Sequence, residues 1–368
     1  MDQTSNPLLR LEAFGQSVWL DYIRRDLIVS GGLMRLIKED GVRGVTSNPS
    51  IFEKAIAESP AYERDIRAMA MTGQSAMSVY EGLTQQDVRF AADELRPLYD
   101  RLNGSDGYVS LEVNPHLAYD TEGTLAEARR LWAALDRPNA MIKVPATDQG
   151  LPAIRSLIAE GINVNITLIF GVKRWRQVAE AYLDGLEARV GSGKSIRRVA
   201  SVASFFVSRI DAALEKKLGP QTEARGRVAI AACKVAYAEQ TALFSGHRFL
   251  TLASRGARPQ RLLWASTGTK DAQESDVKYV EGLIGLDTVN TVPLATLQAY
   301  RDHGNPQSRL SGGLPEARLI LESLPGHGVD LEQVARALED EGVKKFRQPF
   351  DALLASLEKA PSGLPERR

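Results

Sequence analysis

The chain has almost no cysteine and little histidine. One cysteine, Cys233, stands among 368 residues. No disulfide can form within the chain, which suits a reducing compartment, and a cytoplasmic location is expected. Set in the Ala-rich stretch AIAACKVAYAEQ, Cys233 reads as a small buried apolar residue. The four histidines, His116, His247, His303 and His327, show no pairing at i, i+2 or i, i+4. Those are spacings at which one element offers two ligands to a metal, so no metal site is expected. Charge of one sign is also missing, since Lys+Arg and Asp+Glu both total 46. No whole-molecule field gathers nucleic acid or an anionic membrane. No apolar run approaches the roughly 18 residues that span a bilayer. The first residues, MDQTSNPLLRLEAFG, do not form a basic-then-apolar leader. No Gly-x-Gly-x-x-Gly or Walker-type loop follows a strand-like segment. The expectation is a protein with no cofactor, no nucleic-acid partner and no membrane partner.

What is present is an alternation. Eight short strand-like segments occur: 17–21, 44–48, 108–114, 140–146, 163–170, 199–206, 261–266 and 288–293. Helical patterns lie between them. In 121–136 the apolar positions are Leu125, Ala128, Leu131, Trp132 and Leu135; in 172–186 they are Val172, Trp175, Val178, Ala179, Tyr182 and Leu186. Both follow the i, i+3, i+4 spacing of a one-faced helix. Strand–helix alternation argues for a parallel sheet, and eight units argue for a closed (β/α)₈ TIM barrel. The whole chain, 1–368, then reads as one barrel domain, with 313–359 as additional C-terminal helices packed on it. Asp330 and Gln333 resemble a capping pair before LEQVARAL, and Phe346, Phe350 and Leu354 form a further apolar stripe.

The strands are not uniformly apolar, as strands buried on both faces should be. In 108–114, Ser110, Glu112 and Asn114 oppose Val109, Leu111 and Val113. In 163–168, Asn163, Asn165 and Thr167 oppose Val164, Ile166 and Leu168. In 17–21, Ser17, Trp19 and Asp21 oppose Val18 and Leu20. One polar face toward the barrel axis, with polar groups near the C-terminal strand ends, is where barrel enzymes keep their active sites.

Lys143 lies in the short apolar strand AMIKVPA. Lysine is rarely buried without a reason. Removal from water favours a neutral amine, the form that attacks a carbonyl. A lysine that snorkels out of the barrel end, or one holding pyridoxal phosphate, fits the same position. Asp21 and Glu112 end or nearly end their strands and can divide acid and base work near that amine. They can equally form an ion pair with it. Asn48, Asn165 and Thr167 offer uncharged hydrogen-bonding groups for sugar hydroxyls or for a polar core. Arg209 follows ASFFVS at a strand-to-helix transition, a place suited to phosphate, and Ser204, Ser266 and Lys270 can join it. His116 reads as a loop residue.

These segments together resemble the transaldolase family, in its longer bacterial form, over about residues 11–310. The resemblance rests on GVRGVTSNPSIF (41–52), AMIKVPAT around Lys143, GINVNITLIF (161–170) and ASFFVSRID (203–211). It implies a barrel of the class I aldolase type that acts on sugar phosphates. It also implies roles. Lys143 forms the Schiff base. Glu112 moves protons with a water held by Thr167. Asp21 takes the C4-hydroxyl proton. Asn48 and Asn165 hold the dihydroxyacetone hydroxyls. Arg209 and Ser204 bind the phosphate, and Phe206 lines the pocket. Shorter members carry a second phosphate-binding arginine two residues after the serine matching Ser266. Here that position is Gly268, with Lys270 two further on. Two other functions fit parts of the pattern: an aldolase that releases free dihydroxyacetone, and a barrel that only binds sugar phosphates. The chain is expected to be a monomer or a homodimer.

Overall fold

A computed structural model describes residues 6–269, 271 and 273–359. Its parallel strands close into one barrel in chain order, with β8 returning to β1. The strands are β1 Gln16–Leu20, β2 Val42–Val45, β3 Tyr108–Glu112, β4 Ala140–Pro145, β5 Val164–Ile169, β6 Ser201–Phe206, β7 Arg261–Ala265 and β8 Thr288–Val292. Each coincides with a segment read from the sequence, apart from its ends. The largest difference is at β2, which begins earlier and stops at Val45, so Thr46, Ser47 and Asn48 form the loop after it. Helices cover the outer face, among them the two amphipathic ones expected, Thr121–Leu135 and Val172–Gly191. The outward apolar residues Val109, Leu111, Val164 and Ile166 are buried beneath them.

The polar faces turn into the bore, and the N-terminal end of the bore is filled. Trp19 occupies it because β2 carries no side chain at Gly44. A Cβ there would lie 2.4 Å from the Trp19 ring. Trp19 Nε1 donates to Asp106 Oδ1 at 2.8 Å, Ser17 donates to the other carboxylate oxygen, and Arg261 Nη2 reaches Asp106 at 3.3 Å. The polar groups nearer the C-terminal strand ends stand where barrel enzymes place their sites.

The C-terminal stretch forms the helices Leu314–Ser323 and Leu331–Glu358. Asp330 caps the second, its carboxylate accepting from the amides of Glu332 at 2.9 Å and Gln333 at 3.1 Å. This helix approaches the barrel mouth closely over β5. There Leu168 adopts φ 62°, and the pairing of β5 with β6 shifts register between Ile166 and Ile169. Leu168 meets the helix at Gly342, where a Cβ would lie 2.7 Å from Leu168 Cδ2. No helix among the described residues is long and apolar enough to cross a membrane. Cys233 is fully buried.

Candidate active site

Strand register assembles the centre of the site. Glu112 on β3 is the Cα partner of Lys143 on β4, which is the partner of Asn165 on β5. Such partners point the same way, here into the bore. Lys143 is only 4% exposed and Glu112 only 7%. Lys143 Nζ donates to the Ser47 carbonyl at 3.1 Å and lies 3.3 Å from Glu112 Oε2. Neither Glu112 oxygen has a well-aligned hydrogen-bond donor among the described residues, so this is a contact between charges more than a directed bond. Burial pushes the Glu112 carboxyl up to about 7 against the pull of Lys143, and the charge of Asp21 adds to the rise.

Asp21 stands one residue past β1. Its amide donates to the Val292 carbonyl at 2.8 Å, and its Oδ1 accepts from Thr46 Oγ1 at 2.7 Å. Thr46 also meets Thr291 Oγ1 at 2.6 Å. The loop behind Asp21 is anchored by Arg25. Its guanidinium pairs with buried Asp87 at 2.8 Å, and Tyr62 donates to the same carboxylate at 2.7 Å. Asn48 caps the helix Pro49–Glu58 by accepting the Ile51 amide at 3.0 Å, so its amide nitrogen is what it offers the cavity.

Lys143, Asp21, Asn48, Thr167, Phe206, Arg209, Ser266 and Phe346 all line one cavity of about 160 Å³. Thr167 is fully buried, and its hydroxyl has no hydrogen-bond partner among the described residues. Asn165 is fully buried on β5 beside Lys143. Its Nδ2 donates to Ser110 Oγ at 3.0 Å, and its Oδ1 accepts from Ser204 Oγ at 2.7 Å. Ser204 does line the cavity, but its proton is engaged with Asn165, so the two form a hydrogen-bonded chain with Ser110.

Arg209 is the second residue of the short helix Ser208–Leu214 after β6, and its guanidinium carbon lies 5.3 Å from the Phe206 ring centre. No ion pair to it occurs among the described residues. Burial lowers its pKa from the usual arginine value, while Glu341 and Asp21 oppose that shift. A largely buried guanidinium without a carboxylate partner favours an incoming anion. Ser266 adopts φ 55° and its hydroxyl lies 3.0 Å from that of Ser208, tying the β7 loop to the Arg209 helix. Lys270 lies outside the described residues. Among the described residues no group of three or more His, Cys, Asp or Glu could hold a metal ion.

Several participants were not singled out from the sequence: Thr46, Ser47, Ser110, Thr291 and Phe346. Thr291 was legible as an inward position of β8, and Ser110 was read only as part of a polar face. Ser47 acts through its backbone carbonyl, which side-chain chemistry cannot signal.

The family model described as Transaldolase/Fructose-6-phosphate aldolase matches residues 18–357. The chain belongs to this family. It is 46% identical over 374 residues to a protein named Transaldolase 2 from Nostoc punctiforme, covering 96% of this chain and 97% of that one. It is 49% identical over 348 residues to one named Transaldolase from Thiobacillus denitrificans, covering 93% and 97%. It is 48% identical over 359 residues to one named Transaldolase from Saccharopolyspora erythraea, covering 96% and 97%. As a member of the transaldolase family the chain is an enzyme, a transferase. The matched span runs from β1 to the end of the C-terminal helix and includes every cavity residue named above.

Proposed function

We propose that this enzyme moves a dihydroxyacetone unit between sugar phosphates through a Schiff base on Lys143. The Lys143 amine attacks the C2 carbonyl of a ketose phosphate. Glu112 takes a proton from the attacking nitrogen and returns one to the departing hydroxyl, through a water held by Thr167. Water leaves and the iminium forms. Asp21 then accepts the C4-hydroxyl proton, the C3–C4 bond breaks, and its electron pair is delocalised into the iminium as an enamine. The first aldose phosphate departs. A second aldehyde accepts the enamine carbon and a proton from Asp21, and water hydrolyses the new iminium to free the lysine.

The observation that carries this reading is the position of the Lys143 amine. It is almost closed to water, set between a carbonyl and a carboxylate, in a cavity whose wall also holds Arg209, which has no ion pair among the described residues. A carboxyl with a pKa of about 7 can both give and take a proton near neutrality. Arg209 is the proposed phosphate anchor, with Lys270 a further contact, and Asn48 the proposed holder of substrate hydroxyls. The reaction implied links sedoheptulose 7-phosphate and glyceraldehyde 3-phosphate with erythrose 4-phosphate and fructose 6-phosphate. That is a step of the non-oxidative pentose phosphate pathway in the cytoplasm, run without a cofactor by one barrel domain.

A coupled assay with fructose 6-phosphate tests the reading. Glyceraldehyde 3-phosphate should appear rapidly only when erythrose 4-phosphate is added. Equal release without an acceptor would instead make the enzyme an aldolase that frees dihydroxyacetone.

A further inference from the structure

Among the described residues, Phe346 is the one cavity-lining residue that comes from the C-terminal helices. It belongs to the helix Leu331–Glu358, is only 3% exposed, and holds its ring centre 5.4 Å from Lys143 Nζ. One turn on, Phe350 packs edge-on against Tyr80 at 5.1 Å and lies 6.0 Å from the His116 ring. Polar contacts fix the same helix to the elements around the mouth. Asp351 meets His116 Nε2 at 2.7 Å, Tyr119 donates to Asp340 at 2.6 Å, Arg347 Nε donates to the Pro115 carbonyl at 3.2 Å, and Arg174 Nε donates to Glu339 at 3.1 Å. Contacts on both sides of position 346 hold its ring over the reactive amine.

We propose that Phe346 is a specificity-determining residue, the apolar cover that keeps water off the Lys143-bound enamine, so that the three-carbon unit waits for an aldehyde. This rests on the Schiff-base reading above. The competing path is chemically simple. Water protonates the enamine carbon, the iminium re-forms, and a second water hydrolyses it to free dihydroxyacetone and the lysine amine. No oxidant or reductant is needed, and the net change is cleavage of the ketose phosphate into aldose phosphate and dihydroxyacetone. Excluding water from a reactive intermediate is a recognised way to suppress such a leak. The ring also presents its negative face near a nitrogen that is cationic as ammonium and as iminium.

The readout is a ratio, free dihydroxyacetone released to units transferred, measured with fructose 6-phosphate with and without erythrose 4-phosphate. Active sites are counted in each protein by borohydride trapping on Lys143. Phe346→Ala should raise the ratio by about tenfold or more relative to the unaltered enzyme. Phe346→Leu keeps apolar bulk and should raise it by only about threefold. It carries the test alone if the alanine variant does not fold. Parallel loss of transfer and release, leaving the ratio unchanged in the folded variants, would overturn the inference while leaving the Schiff base intact. No trapping on Lys143 in the unaltered enzyme would overturn the Schiff-base reading and this inference with it.

Discussion

Glu112 and Lys143 are Cα partners on adjacent strands, and their charged ends meet at 3.3 Å where little water reaches. The pair has a direct kinetic consequence. Burial raises the Glu112 pKa to about 7, so below that pH the carboxyl is neutral and cannot take a proton from the amine. The rate of Schiff-base formation should therefore fall as pH drops through about 7. In Glu112→Gln the inflection should vanish and the rate near neutrality should drop by about 10²–10⁴. Single-turnover trapping from about pH 5 to about pH 9, roughly two units on either side of that pKa, measures both. An unchanged inflection in the glutamine variant would place the titrating group elsewhere.

Asp21 should act later. Thr46 holds its Oδ1 at 2.7 Å, which orients the carboxylate without neutralising it. Asp21→Asn should still form the adduct with fructose 6-phosphate but should cleave the C3–C4 bond about 10²–10⁴ times more slowly. Quenched-flow trapping separates the six-carbon adduct from the three-carbon one. Early appearance of the three-carbon adduct in the variant would remove Asp21 from the cleavage step.

Arg209 should discriminate phosphorylated from unphosphorylated ketose. Charge-assisted hydrogen bonds contribute roughly 1.5–3 kcal/mol each, so losing two should lower kcat/KM for fructose 6-phosphate by about 10²-fold or more. Arg209→Ala should leave the weak use of fructose almost unchanged. Equal loss for both sugars would make the arginine structural. Lys270→Ala should show the same selectivity to a smaller degree.

The loop carrying Asp21 depends on a buried ion pair. Asp87 is fully buried and accepts from both Arg25 and Tyr62. Asp87→Ala leaves Arg25 without that buried partner and should lower stability by about 3–5 kcal/mol. Urea unfolding measures it. A loss below about 1 kcal/mol would mean that Asp65, which also pairs with Arg25, suffices.

Much of this was legible in the chain itself. Alternating polar and apolar residues marked the barrel strands because side-chain direction alternates with period two. Lys143 stood out because an ionisable residue in a buried strand must have a partner or a task. Depth along the bore was not legible. Asn165 and Thr167 share the inward face of β5, yet Asn165 spends its amide on Ser110 and Ser204 while Thr167 lines the cavity, and these partners come from strands distant in sequence. Phe346 was hidden for another reason. Its stripe with Phe350 and Leu354 reads as packing, and only the approach of the helix across the mouth places one ring of that stripe over the amine.

The central claim is that the Lys143 amine forms the covalent bond to substrate. Borohydride added with fructose 6-phosphate, followed by peptide mass spectrometry, tests it most directly. The account expects loss of activity and a reduced three-carbon dihydroxyacetone adduct on Lys143, absent from Lys143→Ala. An adduct on any other lysine, or full activity after borohydride treatment with substrate, would contradict it.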